Sequence, residues 1–192
     1  MTVVELTAHP GSADPVPDRV SVVVGWQAMT RQLVLQYRFL GDPNRVRLPA
    51  PALSGRADGL WRHSCCEAFL GRSGATDYCE FNFSASGEWA AYRFSARRQG
   101  MAPLEGLDPP VIVLTRSADE IILEARLDLA PLAPVRPAEF RLGLAAVVQD
   151  DQDRQSFWAL RHAPGRPDFH DPSSFLLHLE APGLQPPQEP TP

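Results

Sequence analysis

Glu67, Glu80 and Asn82 are polar side chains set among apolar neighbours, and their spacing suggests chemistry. Glu80 and Asn82 lie two residues apart in a run where Tyr78, Glu80, Asn82 and Ser84 alternate with Cys79, Phe81 and Phe83. A period of two is that of a strand, so the carboxylate and the amide point the same way and present parallel hydrogen-bonding groups. Such a face is either a binding surface or the solvated side of an antiparallel sheet. Glu67 sits inside the apolar run from Cys66 to Leu70, on the parity of Cys65 and Phe69. An inward carboxylate there requires a partner to offset desolvation, and Arg93 is a candidate cation. Glu67 and Glu80 together could serve as general acid and base on a glycosidic bond, which needs two carboxylates at a defined separation. Catalysis of that kind ranks below simple binding.

Other clusters carry less. Cys65 and Cys66 are adjacent, so on a strand they point to opposite faces and cannot share one zinc with His63 and Cys79. No CxxC pair is present, and no metal site is expected. Asp150, Asp151 and Asp153 with Asp168 or Asp171 offer calcium-type oxygens without completing a loop signature, so a solvated turn is the simpler reading. His170-Asp171-Pro172-Ser173-Ser174 reads as a structured turn ahead of a last strand.

The elements that must position these residues are short strands. Residues 78–84 and 89–94 form a hairpin around the turn Ser84–Gly87. Further strand-like runs span 2–8, 20–27, 32–40, 64–70, 111–116, 120–127, 140–149, 155–160 and 175–179, with a possible short edge strand within 41–59. Residues 95–110 read as irregular, and 129–135 as a loop or a short helical turn. Ten or more hairpin-linked strands without helical periodicity predict an all-β fold, an antiparallel β-sandwich of immunoglobulin-like or jelly-roll arrangement. Residues 1–180 are expected to form a single domain and 181–192 a disordered Pro-rich tail.

The 192 residues suffice to bury a core without disulfides or structural metal. A net charge of -5 and the lack of a basic block argue against nucleic acid as a partner. All 18 cations are Arg, which codon bias explains more simply than ligand recognition. No apolar run approaches the roughly 20 residues that span a bilayer, and no N-terminal export signal is evident. A cytoplasmic protein with reduced thiols and no membrane partner is expected.

Asp58-Gly59-Leu60-Trp61, Cys66-Glu67-Ala68-Phe69-Leu70, Tyr78-Cys79-Glu80-Phe81-Asn82 with Ser84 to Trp89, Phe157-Trp158, and Phe169 to Phe175 form an ordered set. This set, across roughly residues 55–180, resembles the DOMON-like superfamily, and within it carbohydrate-binding module family 9 and a group of uncharacterised bacterial proteins. The resemblance implies a sandwich whose concave face or rim binds a sugar or, in other branches, haem. It also implies that Trp61 and Trp158 clamp a sugar ring while Glu67 and Glu80 or Asn82 bond its hydroxyls. The expected function is thus a non-catalytic module for a carbohydrate or other polyhydroxylated small molecule, with Trp61, Glu67, Glu80, Asn82, Arg93 and Trp158 as ligand-binding residues. Two alternatives are a haem-binding electron carrier, with axial ligands among Met29, His63, Met101 and His170, and a protein-interaction module. No resident cofactor is expected, haem or calcium being the conceivable exceptions.

Overall fold

The computed structural model describes residues 1–132 and 138–181. Thirteen strands run in chain order: β1 (Thr2–Ala8), β2 (Arg19–Gln27), β3 (Gln32–Leu40), β4 (Val46–Arg47), β5 (Cys65–Arg72), β6 (Tyr78–Ser84) and β7 (Trp89–Phe94), then β8 (Ala102–Pro103), β9 (Val111–Arg116), β10 (Glu120–Asp128), β11 (Ala138–Asp150), β12 (Gln155–Ala159) and β13 (Leu177–Ala181). Among the described residues the helical elements are single 3-10 turns. None is long and apolar enough to cross a membrane.

All strand pairs are antiparallel, in the order β8-β7-β6-β5-β11-β12-β1-β2-β3-β10-β9, with β13 and β4 also paired to β11. The corner is β1: Thr2 to Leu6 pair with β2, and Thr7 and Ala8 pair with β12. The sheet therefore curls back on itself, so the half led by β2, β3 and β10 packs on the half made of β7, β6, β5, β11 and β12. This is an antiparallel β-sandwich, as the strand pattern predicts.

Period-two alternation sorts the side chains into the core. Leu33, Leu35, Tyr37 and Phe39 of β3 and Ile121, Leu123, Ala125 and Leu127 of β10 are buried, facing Ala68, Leu70, Phe81, Phe83, Ala91 and Trp158 of the other layer. Tyr37 Oη donates to the Glu67 carbonyl at 2.7 Å, which satisfies a buried phenol and ties the layers together.

A second, smaller apolar cluster covers the opposite face of β5, β6, β7 and β11. It includes Phe69, Tyr78, Tyr92, Phe94, Val147, Phe169 and Phe175. The segment between β12 and β13 lies over this face. Phe175 stacks on Phe69 with centroids 5.7 Å apart and rests on Gly143, where a Cβ would come within 2.5 Å of the ring. Only glycine permits that approach.

Two short strands show how far the sequence pattern reaches. The two-residue β4 falls inside the stretch expected to hold an edge strand, whereas β8 lies in residues read as irregular. Two residues, one of them proline, carry no alternation to read. Of the expected Pro-rich tail, Ala181 closes β13 and the remainder lies outside the described residues.

Candidate functional site

The polar residues singled out in the sequence fall on the outer face of the β6-β5-β11 layer, and that face is not solvated. Glu67, Glu80 and Asn82 are 3%, 3% and 0% exposed. Asn82 stands opposite Glu67, and Glu80 opposite Phe69, so the two carboxylates are diagonal neighbours on β5 and β6. Asn82 Nδ2 donates to Glu80 Oε1 at 2.7 Å, and Asn82 Oδ1 accepts a weak bond from Cys65 Sγ at 3.8 Å. Glu67 Oε1, by contrast, is buried without a hydrogen-bond partner.

These two carboxylates form the floor of a cavity of about 290 Å³. Trp61, Phe94, Phe157 and Phe169 supply aromatic walls, and Val147, Met101, Pro167, Arg98 and His170 complete the lining. Trp61 belongs to the 3-10 turn Leu60–Arg62, entered through Gly59 at φ 76°, a left-handed conformation that glycine adopts freely. Its ring meets Tyr92 edge-on at 5.9 Å, and Tyr92 Oη in turn donates to Asp58 Oδ1 at 2.6 Å.

Arg98 projects from a tight turn that follows β7. Ser95 and Gln99 are bonded backbone to backbone, and Arg98 takes a left-handed φ of 55°, a strained conformation for a side chain of its size. On the rim, Arg97 and Arg98 pair with Asp168, and Arg97 also reaches Asp171 at 2.8 Å. Tyr78 Oη accepts from the Arg98 backbone N–H at 3.2 Å and lies 2.7 Å from His170 Nδ1. With the phenolic proton directed to Nδ1, the His170 proton sits on Nε2, 3.7 Å from Glu80 Oε2.

The electrostatics of floor and rim are opposite. Burial pushes the Glu67 carboxyl well above the usual range, and nearby Glu80 adds to the rise while Arg98 opposes it. Burial likewise raises Glu80, against the Asn82 hydrogen bond and Arg98. Burial also depresses His170 to about 4, with Arg98 contributing, so its imidazole is neutral at pH 7. At the rim, burial works to raise Asp168, but its bonds to Arg97 and Arg98 outweigh it and hold the carboxyl below its ordinary value.

Four of the six expected binding residues are thus gathered here: Trp61, Glu67 and Glu80 line the cavity and Asn82 braces its floor. Two are not. Trp158 is 4% exposed in the sandwich core, its Nε1 donating to Ser156 Oγ at 3.0 Å. Adjacent strand residues point oppositely, so Phe157, not Trp158, meets the cavity. The expected pairing of two tryptophans is therefore absent, and Trp61 shares the cavity wall with phenylalanines. Arg93 shares the parity of Trp89 and Ala91 and is exposed on the other side of β7, while Arg98 supplies the cation near the carboxylates. The sequence offers no alternation to flag Arg98, whereas Phe169 and His170 lie within its recognisable set.

Among the described residues the other donors do not gather around a metal position. Of the four candidate haem ligands, Met101 and His170 reach the cavity, and Met29 and His63 do not line it. His170 presents Nδ1 to Tyr78 at 2.7 Å, and its Nε2 lies 3.7 Å from Glu80 Oε2. The suggested calcium oxygens are engaged by arginines: Asp150 bonds Arg154 at 2.7 Å, Asp153 pairs with Arg47, and Asp168 and Asp171 hold Arg97 and Arg98. Among the described residues no cluster of three acidic, His or Cys ligands is arranged around a metal position.

Together these features define an all-β sandwich with a ligand-sized pocket on the outer face of one layer. No protein-family model and no curated protein matches the chain. Solved structures share its fold. One from Bacteroides uniformis, provisionally described as a carbohydrate-binding protein, superposes with a TM-score of 0.67 at 16% identity, covering 94% of this chain and 86% of that one. A family 9 carbohydrate-binding module from Caldicellulosiruptor kristjanssonii in complex with cellotriose gives a TM-score of 0.51 at 14% identity, covering 95% and 84%. At such identities the likeness is one of fold, and it agrees with the fold implied by the resemblance to that module family.

Proposed function

We propose that the chain is a non-catalytic module that binds a sugar or similar polyhydroxylated molecule in the cavity over β5 and β6. The observation that carries this reading is Glu67 Oε1, a buried acceptor with no protein partner at the floor of an aromatic-walled pocket. A buried polar atom left unpaired costs roughly 1–3 kcal/mol, and a ligand hydroxyl donated to it would remove that cost. Trp61 and Phe157 offer faces for the apolar side of a sugar ring, while Glu80, Arg98 and His170 offer polar groups for its hydroxyls. The cellotriose complex of the family 9 module with this fold adds to this reading.

Binding without turnover is favoured because the solved structure of this fold that holds cellotriose is a carbohydrate-binding module. A thermal-shift screen over neutral mono- and disaccharides tests the proposal. A saturable rise in Tm is expected with at least one sugar and should vanish in Trp61→Ala. Failure of every sugar, or unchanged binding by Trp61→Ala, would overturn it, and hydrolysis of chromogenic glycosides would overturn the non-catalytic part.

A further inference from the structure

We infer that the pocket selects a sugar bearing a free amino group, with the ligand ammonium seated between Glu67 and Glu80 and the aromatic walls. This inference rests on the sugar-binding reading and names the class of sugar.

The charge balance around the cavity carries it. Arg98 is the cation among the described lining residues, and its guanidinium is already held by Asp168, with Nε at 3.0 Å and a terminal nitrogen at 2.9 Å. Arg97 is likewise held by Asp168 at 2.6 Å and Asp171 at 2.8 Å. Two arginines and two aspartates at the rim therefore cancel. His170 is neutral, donating no charge to the floor. Glu67 and Glu80 are left as adjacent buried carboxyls without a dedicated counter-charge, and one oxygen of Glu67 lacks any hydrogen-bond partner.

A neutral hydroxyl could satisfy that oxygen but would leave Glu67 holding its proton, since burial and nearby Glu80 both raise its carboxyl. An ammonium group satisfies the oxygen and, by placing three donors and a positive charge beside both carboxyls, lets Glu67 ionise as well. The walls suit it as well: Trp61, Phe94, Phe157 and Phe169 line the cavity, and an aromatic ring whose face meets a cation attracts it through its quadrupole. An anionic sugar, such as a uronic acid, would meet two acidic side chains and is disfavoured. As the ammonium docks, a protonated Glu67 releases its proton to solvent, and the ligand nitrogen keeps its own.

Calorimetric titration with matched probes tests the inference: glucosamine, galactosamine and mannosamine against glucose, galactose and mannose, the N-acetylated forms, and ethanolamine as an amine without a ring. At least one amino sugar is expected to bind about ten- to a hundredfold tighter than its hydroxyl and N-acetyl counterparts, the range of one buried charge-assisted bond. Its binding enthalpy should vary with buffer ionisation heat, reporting proton release. Glu67→Gln, nearly isosteric, should lose the preference while melting cooperatively. Equal affinity for amino, hydroxyl and acetylated forms would overturn the inference and leave the sugar reading standing. An unchanged preference in folded Glu67→Gln would also overturn it. Binding of ethanolamine with no sugar bound would support ammonium recognition and overturn the sugar reading, whereas no binding by any probe would overturn both.

Discussion

The two faces of the β6-β5-β11-β12 layer are built from the same strands and are buried to a similar degree, yet they are held together differently. On the inner face, Ala68, Phe81, Phe83, Leu144 and Trp158 meet apolar residues of the other layer, and the one polar atom of Trp158 has its acceptor in Ser156. The outer face buries Glu67, Glu80 and Asn82 beside Phe69 and Tyr92, beneath a loop that leaves a cavity. Burial alone thus does not separate core from site. Nor does pairing alone, because Trp89 Nε1 is also unpaired in the inner cluster; the separation lies in Glu67 Oε1 being left unpaired on the lining of a cavity.

The largest break in that comparison is expected on the inner face. Trp158→Ala should destabilise by about 3–5 kcal/mol in chemical denaturation, the usual loss for a large aromatic in a packed core. A loss under about 1 kcal/mol would return Trp158 to the list of surface-facing candidates.

On the outer face, the effects should depend on pH. His170 titrates near 4 in the folded protein and at about 6.5 when exposed, so the unfolded chain binds more protons between those values. Its contribution is present above pH 6.5 and is lost on acidification toward pH 4, amounting to roughly 3 kcal/mol at full extent. His170→Gln should flatten this loss in a stability profile measured from pH 7 to 4. A profile as steep as the parent's would show that the imidazole is not held neutral.

Glu67 works with the opposite sign. Its carboxyl is raised by burial, so the folded state binds more protons above the ordinary carboxylate value, and its contribution is lost as pH rises from about 4.5. Glu67→Gln should be similar to the parent at pH 4 and progressively more stable than it as pH rises to 8, because only the parent must bury an ionising carboxyl. A gap that closes with rising pH would contradict the unpaired floor.

The smallest effect on stability is expected at Trp61. Its ring is only half-buried on a short turn, so Trp61→Ala should shift Tm by no more than a few degrees, about 1 kcal/mol, while ligand binding is lost. Equal losses of stability and binding would make Trp61 a structural residue.

The strands were legible because alternation is local. The run from Leu33 to Phe39 and that from Ile121 to Leu127 show their buried faces by period alone, and β3 and β9 begin and end where the composition says. The shared direction of Glu80 and Asn82, and of Glu67 with Phe69, follows from the same period. That these residues are dry rather than solvated does not, because it depends on the loop from Arg161 to Leu176 folding back over them.

Phe157 and Trp158 mark the boundary between the two kinds of knowledge. Their adjacency determines that they point in opposite directions, and sequence goes no further. Which one meets the cavity is decided by the register of β12 against β11 and β1, where Trp158 pairs with Ala146 and Ala8 on the inward side. Arg98 is a stronger case: it lies in a turn without periodicity, and its place near Glu67 comes from a left-handed backbone and a rim of aspartates far along the chain. Local sterics and burial patterning are written in short stretches of sequence. The pairing of β5 with β11, and with it the unpaired carboxylate pocket, arises from contacts between residues some eighty positions apart, which no short stretch encodes.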